Sequence, residues 1–217
     1  DLLQRSRDAL VEEMERSTRL GIPHVVMHLG AAGAAPEAEA LQRLADSIAY
    51  VLERAPAEGS RLLLETTAGQ GTTLGYRFEH LAQVLQFAAA PDRVGVCFDT
   101  CHVFVAGYDL RDAAACEQTL AEFDRVVGLD RVAVIHANDA KKPCGSRVDR
   151  HDHVGRGQIG REGFRSLLSD PRLGHAAVLL ETPKEGNMDP VNLEALRTAA
   201  AGGLPSTPVS NKNHDVV

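Results

Sequence analysis

Short apolar runs rich in β-branched residues alternate with longer amphipathic segments along most of the chain. Five such runs begin roughly 33 to 44 residues apart: Ile22–His28, Arg61–Glu65, Val94–Asp99, Val132–His136 and Ala176–Glu181. Apolar residues spaced three and four apart, such as Leu41, Leu44 and Ile48, fill the intervals between these runs. Strands that alternate with helices predict an α/β protein with a parallel sheet, in either a barrel or an open doubly wound form.

Helical segments flank this alternation at both ends. The periodicity predicts a first helix from Leu3 to Leu20 and a last helix from Pro190 to Ala200. We expect residues 1–200 to form a single domain, because no linker separates the strand–helix units, and residues 201–217 to form a flexible tail. The segment from Asp139 to Arg161 is longer than an ordinary connection, which is typical of a functional loop.

The composition excludes several classes of protein. No apolar run approaches the roughly 20 residues that a membrane helix needs, and the first residues lack the pattern of a signal peptide. Four cysteines without a Cys-x-x-Cys pair predict reduced thiols in a cytoplasmic protein. The formal net charge of −7 argues against generic nucleic-acid binding through a basic surface, unless acidic groups hold divalent metal ions.

Each of the five predicted strands ends in a carboxylate or an imidazole. These residues are His28, Glu65, Asp99, His136 and Glu181. All strand ends of a barrel converge on one axis, whereas an open doubly wound sheet gathers its site at one switch point. The pattern therefore predicts a TIM-type (β/α) barrel, incomplete in this chain because about five of the eight strand–helix units are present.

The residue types at the strand ends indicate a metal centre. Mixed histidine and carboxylate sets without Cys-x-x-Cys pairs are typical of catalytic zinc or manganese sites. His102 lies three residues beyond Asp99, and Asp149, His151 and His153 alternate within the long loop. Zinc usually takes about four ligands, so this set indicates two or three ions, and such clusters suit phosphodiester hydrolysis.

Glycines, cysteines and basic residues near these positions allow more than one interpretation. Gly69–Gly75 and Gly155–Gly157 could cradle a phosphate, although turn glycines are the simpler interpretation because neither stretch has P-loop spacing before a helix. Cys97 is interpreted as a packing residue, and the role of Cys101 stays open. The basic residues of the long loop either form a solvated face or contact a phosphate backbone; they are Lys141, Lys142, Arg147, Arg150, Arg156 and Arg161.

Longer motifs occur along the chain in a defined order. They are Leu63–Gly71, Val94–His102, Ala106–Asp109, His136–Lys141, Gly145–His151 and Leu180–Pro183. Together they resemble endonuclease IV, the zinc-dependent apurinic/apyrimidinic endonuclease family of base-excision repair, over about residues 1–200. The resemblance implies a TIM-type barrel with three zinc ions at the carboxyl ends of its strands. It also implies double-stranded DNA with an abasic site as the partner, and we expect a monomer.

The same resemblance implies roles for the strand-end residues. His28 and Glu65 would serve the first zinc ion. Glu65 would also bridge to the second ion and act as the catalytic carboxylate. Asp99, His136 and Glu181 would complete the second site.

The resemblance assigns the remaining candidates to a third zinc ion and to DNA. His102, Asp149 and His151 would hold the third ion, whereas His153 matches no ligand of the family. Arg150 is a candidate contact to a DNA phosphate. Family members carry about three further strand–helix units before the position where this sequence begins, including a histidine ligand of the first zinc. We therefore expect the first site to lack one protein ligand here, and the sheet to have two unpaired edges.

The leading hypothesis is a zinc-dependent endonuclease that cuts the phosphodiester on the 5′ side of an abasic site, leaving a 3′-hydroxyl and a 5′-deoxyribose phosphate. One alternative is a metal-dependent sugar isomerase or epimerase on a similar barrel, a chemistry that needs only one or two ions. A second alternative is an inactive truncated remnant that binds zinc without cutting. Metal content and incision of an abasic duplex distinguish these three possibilities.

Overall fold

A parallel five-stranded sheet forms the centre of the molecule. The computed structural model describes residues 2–88, 90 and 92–204, so residues 205–217 of the predicted tail lie outside the described residues. The strands of the sheet and of a separate antiparallel hairpin are, in chain order, β1 His24–His28, β2 Arg61–Glu65, β3 Val94–Asp99, β4 Val132–His136, β5 Asp139–Ala140, β6 His151–Asp152 and β7 Ala177–Leu179. β5 and β6 form the hairpin, and the other five strands form the sheet.

Helices occupy the intervals between the strands, as the periodicity predicts. They are α1 Leu2–Arg19, α2 Glu37–Arg54, α3 Phe78–Ala88, α4 Thr100–Ala106, α5 Ala113–Val126, α6 Gly160–Leu168 and α7 Asp189–Ala200. The first and last of these confirm the predicted terminal helices within a few residues. None of the helices in the described part of the chain is both long enough and apolar enough to cross a membrane.

The strand order decides between the two parallel architectures. The sheet runs β1, β2, β3, β4, β7, so each strand lies beside the next strand of the sheet in chain order and the order never reverses. A doubly wound sheet would reverse its order at a switch point. The sheet is therefore a section of barrel wall, which confirms the prediction of an incomplete TIM-type barrel.

The three central strands, β2, β3 and β4, are almost entirely buried, as is usual for parallel sheets. Leu63, Cys97 and Val134 form a small apolar cluster on one face. The other face packs against the helices, where the ring of Phe123 lies 4.9 Å from Phe78 and 5.4 Å from Phe98, centroid to centroid. These contacts join α3, β3 and α5 and hold the strand ends in fixed relative positions.

Within the described residues, the sheet has two edge strands, β1 and β7, each paired on one side. Val178 and Leu179 of β7 are 38% and 49% exposed, which is unusual for a strand of a parallel sheet. The two edges agree with the expectation drawn from the strand count.

Candidate metal centre

Four of the predicted ligands are the last residues of adjacent strands. His28, Glu65, Asp99 and His136 end β1, β2, β3 and β4. The strand register pairs His28 with Glu65 and Asp99 with His136. The ladder of the parallel sheet therefore places all four side chains at its carboxyl-terminal edge.

Glu181 does not end the fifth strand, which corrects the predicted boundary. β7 ends at Leu179, two residues earlier. The backbone N–H of Glu181 instead donates to Oδ1 of Asn138 at 2.8 Å, so the chain leaves the ladder before the carboxylate. The Glu181 side chain still reaches the site, where its Oε2 lies 3.2 Å from Nδ1 of His136.

Glu65 is the centre of the strand-end cluster, which comprises His28, Glu65, Asp99, His136 and Glu181. Its Oε1 lies 2.8 Å from Nδ1 of His136, and its Oε2 lies 3.0 Å from Nε2 of His28. The Glu65 side chain is buried, whereas His28 at the edge strand is about half exposed. One carboxylate thus faces two imidazoles through its two oxygens, an arrangement suited to bridging two cations.

A second group, the loop cluster, comprises His102, Asp149 and His151. Nε2 of His102 lies 3.1 Å from Oδ2 of Asp149, and Nε2 of His151 lies 3.3 Å from Oδ1 of the same residue. The other ring nitrogens, both Nδ1, contact the backbone carbonyls of Thr66 at 2.9 Å and of Glu181 at 3.1 Å. Such contacts orient ligand imidazoles in metal sites.

Two buried nitrogens of the loop cluster test whether this group fits a metal ion. Nε2 of His102 and Nε2 of His151 are buried. Each lies close to an Asp149 oxygen, yet neither has the geometry of a hydrogen bond with any described atom. Buried polar atoms are rarely left without a partner in native proteins. Both nitrogens face the same carboxylate, so a cation among the three donors would satisfy them. The donor set fits a metal ion with nitrogen and oxygen ligands.

Asp99 joins the two clusters and is fully buried. It is the N-cap of α4, and its Oδ1 accepts a hydrogen bond from the backbone N–H of His102 at 2.7 Å. Because α4 begins directly after β3, His102 lies one helical turn beyond the strand end. Gly107 follows α4 as its C-cap, and its φ of 123° is a conformation that other residues rarely adopt.

Asn138 is a functional candidate that sequence analysis missed. Its Nδ2 donates to Oδ2 of Asp99 at 2.7 Å, while its Oδ1 accepts from the backbone N–H of Glu181. The side chain is fully buried, so both contacts are shielded from water. The only signal in the sequence was its position two residues after a strand-end histidine, because an asparagine carries no ligand chemistry that would single it out.

Carboxylates and imidazoles stabilise each other's charged forms within and between the two clusters. Burial disfavours the charged form of Glu65, but hydrogen bonds with His136 and His28 outweigh this effect and lower its pKa to about 2. Burial likewise opposes protonation of His102, but nearby carboxylates, Asp99 first among them, raise its pKa to about 9. The imidazoles therefore hold protons that a bound cation would replace, because metal ligands must be deprotonated.

Cys97 and Cys101 also place their sulfur atoms within 4.8 Å of candidate ligand atoms. Burial raises the pKa of Cys97 to about 11 and raises the pKa of Cys101 as well. A thiol binds metal as the thiolate, so both side chains are poor ligands at neutral pH. Cys97 belongs to the small apolar cluster of the sheet, in agreement with a packing role, and Sγ of Cys101 lies 3.8 Å from the backbone oxygen of Arg150.

His153 lies outside every group of candidate ligands found in the described part of the chain. β6 ends at Asp152, so His153 no longer alternates with His151. Its Nδ1 is instead hydrogen-bonded to Nδ2 of Asn192 in α7 at 3.1 Å. His153 therefore attaches the hairpin to a helix.

Three of the glycines that could cradle a phosphate donate their amide groups within the protein. The amides of Gly155 and Gly157 each donate to Oδ2 of Asp139 at 3.0 Å, and the amide of Gly75 donates to Nδ1 of His80 at 3.1 Å. These contacts favour the turn interpretation. The anion between Gly155 and Gly157 is a carboxylate of the chain itself.

Arg150 lies at the exposed surface between two residues of the loop cluster. Its Nη1 donates to the backbone oxygen of Asp149 at 2.7 Å. Lys141, Lys142 and Arg147 of the same loop are exposed as well. This side of the centre therefore presents cations to solvent next to the candidate ligands.

Comparison with known proteins agrees with this fold. The family model described as Xylose isomerase-like TIM barrel matches residues 1–202. A probable endonuclease 4 from Chloroflexus aggregans is 50% identical over 200 residues, covering 91% of this chain and 70% of the relative. A probable endonuclease 4 from Geotalea daltonii is 47% identical over 199 residues, with the same coverage of each chain. The crystal structure of endonuclease IV from Thermus thermophilus superposes with a TM-score of 0.79 at 36% identity, covering 91% of this chain and 69% of that one.

These matches first define the class, a TIM barrel of the xylose isomerase-like kind. Within that class, the chain belongs to the endonuclease IV family, as its motifs predict. A D-tagatose 3-epimerase-like protein also superposes, with a TM-score of 0.70, but at 21% identity. A likeness at that level of identity shows the shared fold alone.

Proposed function

We propose that this chain is a zinc-dependent endonuclease that hydrolyses the phosphodiester on the 5′ side of abasic sites in double-stranded DNA. The products would be a 3′-hydroxyl and a 5′-deoxyribose phosphate. One observation carries the proposal: in a member of the endonuclease IV family, the strand-end cluster and the loop cluster meet at one end of the sheet. More donors meet there than a single ion can use, which favours a multinuclear centre.

The proposed ions follow from the groups of donors. Glu65, Asp99, His136 and Glu181 each offer one ligand atom, and these atoms lie within 4.8 Å of one another, so they would hold the second zinc. The three donors of the loop cluster lie within the same distance and would hold the third. His28 and Glu65 would serve the first. Zinc suits this set because it accepts imidazole and carboxylate together.

The groups around the reacting phosphate would each have a different role in hydrolysis. Bound zinc ions would lower the pKa of water and neutralise the charge that develops on the phosphate. The ionised Glu65 carboxylate can orient the attacking water or accept its proton. Asn138 keeps the Asp99 carboxylate in one orientation through the bond from its Nδ2. Arg150, beside the loop cluster, would contact a DNA phosphate.

Charge and lesion chemistry support a DNA substrate. The formal net charge of −7 would repel DNA, but bound divalent ions and the basic residues of the loop would make the site locally attractive to phosphate. An abasic nucleotide leaves the base stack at low cost, because no base pair must be broken. A site at the open end of a barrel could therefore select the lesion without reading a base.

The direct test is incision of a labelled duplex that carries one synthetic abasic site. We expect zinc-dependent cleavage on the 5′ side of the lesion, loss of cleavage with chelator, and recovery when zinc is restored. Extension of the product by a DNA polymerase would show the 3′-hydroxyl. An intact duplex of the same sequence is the matched control and should stay uncut.

Other outcomes separate the alternatives. A duplex that stays uncut at saturating zinc would refute the enzymatic proposal for this chain. Zinc binding without incision would instead indicate the inactive remnant. About one ion per chain, together with turnover of free sugars, would indicate an isomerase or epimerase.

A further inference from the structure

Asp139 is a buried carboxylate outside the proposed metal ligands. It follows His136 by three residues and is fully buried. Its two oxygens accept five backbone N–H groups. Oδ1 accepts from Ala140 at 2.8 Å and Ile159 at 2.9 Å. Oδ2 accepts from Gly155 and Gly157 at 3.0 Å and from Gly160 at 3.3 Å.

The chain between residues 155 and 160 folds around this carboxylate. Gly157 is required there, because a Cβ at this position would lie 2.5 Å from both Oδ1 of Asp139 and the backbone oxygen of Ala140. The N–H of Gln158 donates to that same oxygen of Ala140 at 2.8 Å. Backbone N–H groups that are buried need acceptors, and here one side chain supplies most of them.

The same residue starts the strand on which the loop cluster depends. In the hairpin, Asp139 pairs with Asp152, and Ala140 pairs with His151. The N–H of Lys141 donates to the backbone oxygen of Arg150 at 2.9 Å and continues the pairing. The backbone of β5 therefore holds the ligand hairpin, while the Asp139 side chain holds the segment that follows it.

We propose that Asp139 is a positioning residue for the loop cluster. It touches neither DNA nor a metal ion in this assignment. Its carboxylate ties β5 to the segment after His151, so that Asp149 and His151 face His102 in one arrangement. This inference rests on the proposed zinc centre, and it predicts a selective effect: loss of the carboxylate weakens the third zinc and spares the ion held by the strand-end cluster.

Asp139→Asn is the sharpest test, made in the full 217-residue chain. The amide must place its NH2 group where either Oδ1 or Oδ2 now accepts, so at least two backbone N–H groups would lose their acceptor. Asp152→Asn is the matched control, because Asp152 lies opposite on the hairpin and accepts only from the N–H of His153, at 2.8 Å, among the bonds found. Zinc titration followed by native mass spectrometry counts the ions, and cobalt substitution reports the geometry by absorption.

We expect Asp139→Asn to bind the third ion on the order of 10- to 100-fold more weakly, with the affinity of the strand-end cluster unchanged. Asp152→Asn should bind all ions like the unaltered chain. Wild-type zinc affinities in Asp139→Asn would overturn the inference and leave the proposed function intact. Failure of the unaltered chain to bind several ions or to cut DNA would overturn the proposed function instead.

Two further measurements cover the case in which Asp139→Asn does not fold. Gly157→Ala keeps the charge of Asp139 but crowds its Oδ1, and it should show the same selective loss of zinc. In the unaltered metal-free chain, hydrogen exchange at the amides of Gly155, Gly157 and Ile159 should be slow. A folded Gly157→Ala variant with wild-type affinities would contradict the inference, and so would fast exchange at those amides.

Discussion

The two halves of the candidate centre are built in different ways. In the strand-end cluster, Glu65, Asp99 and His136 are at most 5% exposed and end three neighbouring strands. In the loop cluster, Asp149 and His151 expose 36% and 17% of their side chains and lie on or beside a hairpin with two residues in each strand. Four of the five residues of the first half belong to the sheet, whereas the second half is attached to it.

This difference explains how the ligand side chains are held in position in each half. A slip of one residue in a parallel ladder would turn every side chain to the opposite face, so the register that buries Leu63 and Cys97 also places Glu65 and Asp99. The hairpin has no comparable ladder and depends on buried polar contacts such as those of Asp139. We therefore expect the loop half to depend on these few contacts and the strand-end half to keep its geometry without them.

Removal of the shared carboxylate should have the largest effect, because Glu65 would serve two ions. Glu65→Gln keeps the shape of the side chain but removes its charge, and we expect incision to fall by about 10³- to 10⁴-fold. Single-turnover assays on the abasic duplex measure this loss. Circular dichroism should show an unchanged fold. Incision within tenfold of the unaltered chain would contradict the central role of Glu65.

Asp149→Asn should weaken zinc binding in the loop half while leaving the strand-end half unaffected. Asp149 faces both imidazoles of the loop cluster, so its loss should remove the third zinc and lower incision on the order of 10²- to 10³-fold through weaker stabilisation of the phosphate charge. The ion of the strand-end cluster should remain, as counted by native mass spectrometry. Simultaneous loss of every ion would show instead that the two halves bind zinc as one cooperative unit.

The strands and helices could largely be predicted from the sequence, and so could the convergence of the candidate ligands. Buried strands require continuous apolar runs, and the polar residues that follow stand out against them, as at Glu65 and Asp99. The end of β7 could not be predicted, because it depends on a bond from Glu181 to the Asn138 side chain, 43 residues earlier in the chain.

The contacts that hold the loop cluster could not be predicted from the sequence either. A His-x-His pattern suggests that His151 and His153 point the same way, but the strand stops between them. The glycines at 155 and 157 match a phosphate cradle as well as they match a turn around Asp139. Patterns show which residues are near in sequence, whereas these contacts join segments that only the fold brings together.

Asn138→Ala should give a smaller effect than either ligand variant. It removes the donor to Asp99 and the acceptor for Glu181, so we expect zinc affinity of the strand-end cluster to fall about 10- to 100-fold. Asn192→Ala is the matched control, because Asn192 is an equally buried asparagine that bonds Thr182, His153 and the backbone of Val154 instead.

The Asn192→Ala variant should lose stability to denaturant while keeping its strand-end zinc. Equal weakening of zinc binding in the two asparagine variants would show that general destabilisation, rather than orientation of Asp99, sets the affinity. Competition with a zinc chelator of known affinity measures both. This pair of variants therefore tests whether the strand ladder alone positions the strand-end ligands, or whether the Asn138 side chain is needed as well.

Arg150→Ala should have the smallest effect and should act on DNA binding alone. The Arg150 side chain is exposed, and the hydrogen bond described for it goes to the backbone oxygen of Asp149, so its removal should leave the zinc content unchanged. If it contacts one phosphate, the slope of log binding constant against log salt should decrease by about 1, with a modest loss of affinity. Arg16→Ala is the control: Arg16 is an exposed arginine near the end of α1, which leads to the start of β1 at the opposite end of the sheet. An equal change of slope in both variants would mean that Arg150 contributes only to net charge, and the loop half would then hold metal without guiding DNA.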